Sequence, residues 1–156
     1  MGKVGSKGEV SLFMMAVVDA SVALKWQFED EEATSSATSL LNDYVEGRIE
    51  LITVTLFPYE IVSAIHVAIN KKRIGETAGY KIINYLTSLD IELRSFNDLI
   101  RTTFEFARKY NLSPYDCAYL SLADKEGCAF FTGDRKLFNA AKRDFRLVQW
   151  IGDYRS

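Results

Sequence analysis

Short apolar runs that end at polar residues recur along the chain. The first run, residues 13–18, is continuous and stops at Asp19, a pattern typical of a strand buried on both faces. Similar runs predict further strands at residues 51–54, 91–93, 129–132 and 147–150. The sequence therefore predicts short strands spread over its whole length.

Apolar residues at helical spacing fill the segments between these strands. Residues 31–45 have apolar residues on one face of a predicted helix, and Gly47 then predicts the end of that helix. A short helix is expected near Ser21, a longer one after Pro58, and others over residues 76–89, 98–110, 113–125 and 134–142. Parallel strands need crossover helices, so this alternation predicts an α/β fold whose parallel sheet is covered on both faces.

Composition narrows the class of protein. The chain has 156 residues, 48% of them apolar and 26% charged, as expected for one globular domain. We assign residues 1–12 to a flexible leader and residues 13–156 to a single domain. No apolar run approaches the roughly 20 residues of a membrane span, and the first residues lack the apolar core of a secretory signal. These features predict a cytoplasmic protein without a membrane partner.

Charge and cysteine content exclude two further classes. The formal net charge is -2, so the protein does not coat nucleic acid by bulk charge, and any contact with nucleic acid must be local. Cys117 and Cys128 lack the paired spacing of zinc or redox sites and are expected to be reduced core residues.

Four acidic residues occupy positions where parallel sheets bind ligands. Asp19 directly follows the first strand run, and Asp134 follows the run at residues 129–132 after Gly133. Glu60 and Asp116 lie in the first turns of predicted helices. The carboxyl ends of parallel strands meet at one edge of a sheet, and ligands bind in the crevice beyond that edge. The topology thus predicts that these carboxylates come together.

Each of these acids also has a purely structural interpretation. Asp19 and Asp134 are suitable N-caps, and Glu60 complements the positive end of a helix dipole. Ser113 and Asp116 together have the form of a capping box. None of the four is diagnostic on its own.

Several acids at one sheet edge would repel each other unless a cation lay between them. Hard divalent cations such as Mg²⁺ or Mn²⁺ prefer carboxylate oxygens to nitrogen or sulfur ligands. The pattern contains no nearby histidine or cysteine, which disfavours zinc. The cluster therefore predicts a Mg²⁺ or Mn²⁺ site.

Four stretches of the sequence, taken in order, resemble the motifs of PIN domains, and specifically of the toxin ribonucleases called VapC. The resemblance spans about residues 16–154 and depends on the set of motifs, because each alone has only two or three informative residues. The stretches are residues 17–26 (VVDASVALKW), 58–65 (PYEIVSAI), 113–120 (SPYDCAYL) and 131–137 (FTGDRKL).

This resemblance implies a parallel sheet of about five strands and endoribonuclease activity on RNA. The residues matching the family's metal-binding acids are Asp19, Glu60, Asp116 and Asp134, and Thr132 matches its usual Ser or Thr. It further implies a homodimer that is silenced by a small antitoxin. The chain departs from some relatives in its leader and in lacking a fifth acid at residues 135–139, so we count four acids.

Other residues near the motifs have two interpretations each. Thr132 is a catalytic candidate that would orient a metal ligand or the attacking water, and Ser21 is a weaker candidate for supporting a metal ligand. Arg135 and Lys136 either contact the phosphates of RNA or are solvated helix cations, and residues 71–73 are better explained as cations at a helix C-terminus. His66 receives no catalytic role. Aromatic residues either stack bases or pack in the core or an interface; they are Trp26, Phe28, Phe57 and Tyr59.

Two alternative functions remain at this point. A PIN domain also serves in housekeeping RNA maturation, and gene context separates that role from a toxin. A non-catalytic receiver-type signalling domain is another α/β fold with an acidic pocket. Such a domain has adjacent acids near its first strand, whereas here Val18 precedes Asp19.

Overall fold

A single parallel sheet forms the centre of the molecule, whose computed structural model describes residues 15–155. Its strands, numbered β1 to β5 in chain order, are Met15–Val18, Glu50–Val54, Glu92–Arg94, Ala129–Thr132 and Val148–Trp150. They are arranged in the order β3-β2-β1-β4-β5, and every neighbouring pair is parallel. The α/β class and the five strands predicted from the sequence are confirmed. The predicted leader lies outside the described residues and stays a prediction.

Seven helices flank the sheet in the described part of the chain. Helices α1 to α7 are Ala20–Lys25, Thr34–Val45, Phe57–Asn70, Glu76–Ser88, Ile100–Tyr110, Pro114–Glu126 and Arg135–Ala141, and a 3-10 turn follows at Ile151–Asp153. Within residues 15–155, no helix combines the length and the apolar character that a membrane crossing requires.

Helix α2 begins three residues later than the sequence predicts. Ala33 adopts a left-handed φ of 63°, which interrupts the helical path before Thr34. The predicted stop after this helix is correct, since Gly47 has a φ of 77° that favours glycine.

The two faces of the sheet are covered by different helices. Ala16 and Val18 of β1 pack into a cluster with residues of α1 to α4. Val17 points to the opposite face and packs with residues of α5, α6 and α7. This alternation is the two-residue period of a strand, and burial on both faces explains the continuous apolar run in the sequence.

The chain order of the strands reverses between β1 and β4. From β1 the chain builds β2 and β3 on one side, then crosses to place β4 and β5 on the other. Ligands of open α/β sheets bind at such a switch point, beyond the carboxyl ends of the strands. Asp19 directly follows β1, and Asp134 follows β4 after one intervening residue.

Candidate active site

Asp19 is the most buried of the four predicted acids, with 5% of its surface exposed. It caps helix α1 by accepting a hydrogen bond of 3.2 Å from the backbone N of Val22, so its structural interpretation is correct. The same carboxylate also accepts hydrogen bonds from the hydroxyls of Ser21, at 2.5 Å, and of Thr132, at 2.6 Å. Both of its oxygens are therefore held in place.

Burial raises the pKa of Asp19 to about 6. The three hydrogen bonds to its oxygens oppose this rise, and the negative charge of Glu60 adds to it. A cation beside the carboxylate would favour the ionised form and bring the pKa down again.

Two hydroxyl groups tie the ends of β1 and β4 together. The Thr132 hydroxyl donates to Asp19 and accepts a 3.1 Å hydrogen bond from the backbone N of Asp134. The Ser21 hydroxyl accepts a 2.8 Å hydrogen bond from the backbone N of Gly133. The predicted supporting roles of Thr132 and Ser21 thus correspond to contacts that orient Asp19 and the turn before Asp134.

Gly133 allows this turn to pack closely against a buried lysine. A Cβ atom at position 133 would lie 2.3 Å from Cε of Lys25 and 3.3 Å from Oγ of Ser21. The Lys25 side chain is 3% exposed, and its Nζ lies 3.8 Å from a carboxylate oxygen of Glu31. A larger residue at position 133 would therefore have to displace the end of the Lys25 side chain.

Glu60 lies in the first turn of α3 and is half-buried. Its Oε1 accepts a 2.5 Å hydrogen bond from the hydroxyl of Tyr119 on α6. Burial raises its pKa, the bond from Tyr119 opposes the rise, and the charges of Asp116 and Asp134 add to it.

Asp116 lies in the first turn of α6, and its backbone N donates a 3.1 Å hydrogen bond to the hydroxyl of Ser113. Ser113 is therefore the N-cap of α6, which is the role that the predicted capping box gives to its serine. Burial raises the pKa of Asp116 and the charge of Asp134 raises it further, whereas the hydrogen bond with Ser113 and the cation of Lys136 lower it.

Asp134 caps α7 by accepting a 3.1 Å hydrogen bond from the backbone N of Leu137. The predicted capping role is correct, but it does not account for the whole environment of this carboxylate. Burial raises the pKa of Glu60 and of Asp116, and the charge of Asp134 raises both further, so Asp134 lies near enough to act on these two acids.

The structure therefore brings the four predicted acids into one electrostatic cluster at the switch point. Within the described residues, no three histidine, cysteine, aspartate or glutamate side chains stand close enough to enclose an ion by themselves. Mg²⁺ keeps several water ligands and is commonly held by one or two carboxylates, so an open set of acids fits such a cation. The donor chemistry fits as well, since carboxylates and hydroxyls converge here.

His66 and Arg73 contact other side chains. The ring of His66 lies 3.1 Å from the side-chain amide nitrogen of Asn70, one turn further along α3. Arg73 forms ion pairs with Asp30 and Glu31 just beyond the end of α3.

The two basic residues that follow Asp134 differ in their surroundings. Arg135 forms an ion pair of 3.1 Å with Glu32, and its guanidinium carbon lies 3.9 Å from the ring centre of Trp150. Lys136, in contrast, acts on the pKa of Asp116. Of the two, Lys136 is the cation whose charge reaches the acidic cluster.

The four aromatic candidates separate into different environments. Phe28 and Phe57 are buried in the core, and the partly buried Trp26 donates its indole N–H to the carbonyl of Ala37 at 2.9 Å. Only Tyr59 is largely exposed. Sequence reasoning gave no role to Tyr119, although its position three residues after Asp116 on one helix face was a usable signal.

The comparisons with known proteins agree with this geometry. Residues 16–143 match the family model described as "PIN domain". "Ribonuclease VapC3" of Pyrobaculum aerophilum is 28% identical over 126 residues, which is 80% of this chain and 92% of that protein. The crystal structure of PAE2754 from Pyrobaculum aerophilum superposes with a TM-score of 0.60 at 18% identity, covering 85% of this chain and 83% of that one. The latter likeness concerns the fold.

Proposed function

Since the chain belongs to the PIN-domain family, we propose that it is a VapC-type endoribonuclease that hydrolyses RNA phosphodiester bonds with Mg²⁺ or Mn²⁺. The observation that carries this proposal is the convergence of Asp19, Glu60, Asp116 and Asp134 at the switch point of the sheet. Burial raises the pKa of the first three, and each of these pKa values is raised further by the charge of another acid of the four. Membership of this family decides against the receiver-type alternative.

The proposed metal ligands are these four carboxylates, with Asp19 and Asp116 as the first choices for direct contact. These carboxylates would hold a divalent cation, which would supply a more acidic water and neutralise charge on the phosphate oxygens. Hydrolysis forms a bond from the water oxygen to phosphorus and breaks the bond to the leaving ribose oxygen, which departs with a proton.

The protein's own contribution to this reaction is orientation. Thr132 and Ser21 fix the two oxygens of Asp19, and Tyr119 fixes Glu60. Such hydrogen bonds keep ligands in place and tune their affinity for the metal. Lys136, whose positive charge reaches Asp116, is suited to contact a flanking phosphate of the RNA.

The experiment that tests this proposal is RNA cleavage by the purified protein. We expect cleavage of single-stranded RNA with Mn²⁺ or Mg²⁺ and none in excess EDTA. Asp19→Asn and Asp116→Asn should each lower the rate by roughly a hundredfold or more while the fold persists. The matched control is Asp124→Asn, an exposed carboxylate on the same helix as Asp116, which should leave the rate unchanged. Cleavage that continues in EDTA would contradict the metal mechanism.

We further propose that the protein is a homodimeric toxin silenced by a small antitoxin. The likeness to a protein named Ribonuclease VapC3 supports this role over RNA maturation. Expression of the active protein alone should arrest growth, Asp19→Asn should be harmless, and a neighbouring small protein should restore growth and co-purify. An active enzyme that is innocuous and has no such neighbour would favour the maturation role.

A further inference from the structure

A cavity of about 410 Å³ opens beside the acidic cluster. It lies at the same edge of the sheet, between the end of β2 and the first turns of α3 and α6. Its volume falls in the range of roughly 300 to 1,000 Å³ that is usual for small-molecule sites. The residues that matter for its chemistry are Leu56, Tyr59, Phe96, Pro114 and Tyr115.

Three aromatic rings in this cavity face solvent. Tyr59 is 75% exposed, Tyr115 65% and Phe96 37%, whereas Phe57, two residues before Tyr59, is buried. Large apolar side chains are normally withdrawn from water, so a group of exposed rings around one cavity indicates a binding site.

Two residues of the cavity are sequence neighbours of proposed metal ligands. Tyr59 immediately precedes Glu60, and Tyr115 immediately precedes Asp116. Each of the two helices therefore contributes an acid to the cluster and, from the adjacent residue, a ring to the cavity. The cavity and the acids therefore share the first turns of the same two helices.

The lining also restricts which part of an RNA strand fits there. The residues that line the cavity in the described part of the chain carry no charge, so the site is unsuited to a phosphate. Aromatic side chains stack on nucleobases with little regard to sequence, because every base has a π-face. A base in a duplex has both faces covered by its neighbours.

We propose that this cavity holds an unpaired nucleobase of the RNA strand, stacked against Tyr59 and Tyr115, next to the phosphate that is hydrolysed at the acids. The proposal rests on the ribonuclease function proposed above and adds to it a binding site for one base of the substrate. Tyr59 and Tyr115 are then residues that bind substrate without holding the metal.

The test measures RNA binding rather than cleavage. The parent protein in this test is the full chain carrying Asp19→Asn. Its affinity for a short labelled single-stranded RNA is measured in Mn²⁺ by fluorescence anisotropy. Adding Tyr59→Ala or Tyr115→Ala should weaken binding by roughly fivefold or more, since stacking contributes about 1–3 kcal/mol per base. Tyr115→Phe keeps the ring and should bind like the parent. The control Tyr80→Ala removes another exposed tyrosine, on α4, and should also bind like the parent.

Changes in the RNA complete the test. An abasic residue at the position next to the cleaved bond should weaken binding to the parent. The same change should have a smaller effect on Tyr115→Ala, which has already lost one of the two stacking rings. Annealing the RNA to its complement should also weaken binding. Melting curves establish that the exposed-residue variants remain folded.

The possible failures are distinct. If the unaltered protein cleaves RNA and the tyrosine variants bind it like the parent, the base-binding proposal is wrong and the proposed function stands. If Tyr115→Ala changes the dissociation of a dimer while RNA affinity is unchanged, the cavity belongs to a protein interface and the proposal is again wrong. If the unaltered protein neither binds nor cleaves RNA, both proposals fail.

Discussion

The hydroxyl of Tyr119 donates a 2.5 Å hydrogen bond to Oε1 of Glu60, joining α6 to α3 across the proposed metal site. The tyrosine is fully buried and its ring stacks on Phe130, with ring centres 5.8 Å apart and planes 11° from parallel. Burial and the bond to Glu60 both raise the pKa of Tyr119, so the phenol stays protonated and remains a donor. Helix α6 thus supplies one acid, Asp116, and the group that orients another.

Replacing this phenol tests whether it positions Glu60 for catalysis. Tyr119→Phe keeps the stacked ring and removes the donor that lowers the pKa of Glu60. We expect the acidic limb of the pH–rate profile to move to higher pH and the rate at saturating Mn²⁺ to fall by roughly tenfold. The measurement is cleavage rate against pH for the two proteins.

The matched control removes a phenol that is remote from the acids. The hydroxyl of Tyr44 donates to the backbone carbonyl of Leu89 at 2.8 Å. Tyr44→Phe should therefore leave the pH–rate profile in place, even if the protein melts slightly lower. An unshifted acidic limb in Tyr119→Phe would show that the hydrogen bond to Glu60 has only a structural role.

Much of this fold and the position of the acids were predictable from local pattern. The buried run before Asp19 and the helical periodicities between strands depend on neighbours in sequence, and they gave five parallel strands. The predicted acids could be assigned to one sheet edge because parallel topology brings strand ends and helix starts together.

The contacts that orient the acids were not predictable in the same way. Tyr119 and Glu60 are 59 residues apart, and Thr132 and Asp19 are 113 apart. Such pairs depend on how helices pack across the sheet, which periodicity does not encode. Exposure is similarly a tertiary property, and it separates Tyr59 from Phe57 although both lie in one turn of α3.

The raised pKa of Asp19 predicts that the metal-free protein loses stability as pH rises. Its pKa is about 6 in the folded protein against 3.8 for an ordinary aspartate, so the folded state holds the proton more tightly. The stability contributed by Asp19 is fully present below the lower value and is lost as pH rises through the upper one. The loss is on the order of 3 kcal/mol if the unfolded chain has the ordinary pKa.

Comparison with Asp19→Asn isolates this contribution from those of the other acids. Carboxylates such as Asp30 and Glu32 have lowered pKa values and contribute in the opposite direction, but they do so equally in both proteins. In EDTA, the free energy of unfolding of wild type minus that of Asp19→Asn should fall between about pH 4 and about pH 6. Denaturant unfolding at several pH values measures it. Parallel pH dependences would contradict a strongly perturbed Asp19.

The last prediction concerns the metal and does not require the RNA substrate to be known. A cation at about 100 times its dissociation constant stabilises the folded state by about 2.7 kcal/mol, which corresponds to several degrees in melting temperature. Wild type should therefore melt several degrees higher in Mn²⁺ than in EDTA. Each single variant of the cluster should gain less; the variants are Asp19→Asn, Glu60→Gln, Asp116→Asn and Asp134→Asn.

In EDTA the order of melting temperatures is expected to reverse for the variants that keep the N-cap hydrogen bond of their helix. The cap of α6 is the hydroxyl of Ser113, so Asp116→Asn removes one repelling charge and leaves that hydrogen bond in place. Asp134 does cap α7, but asparagine is an equally good N-cap residue. Both variants should thus melt at or slightly above the melting temperature of wild type without metal and below it with Mn²⁺.

The control Asp124→Asn lies outside the cluster, and its melting temperature should rise in Mn²⁺ by as much as that of wild type. Equal gains in wild type and in all four cluster variants would mean that these carboxylates do not form one metal site, and Asp19 and Asp134 would then be explained by their capping roles alone.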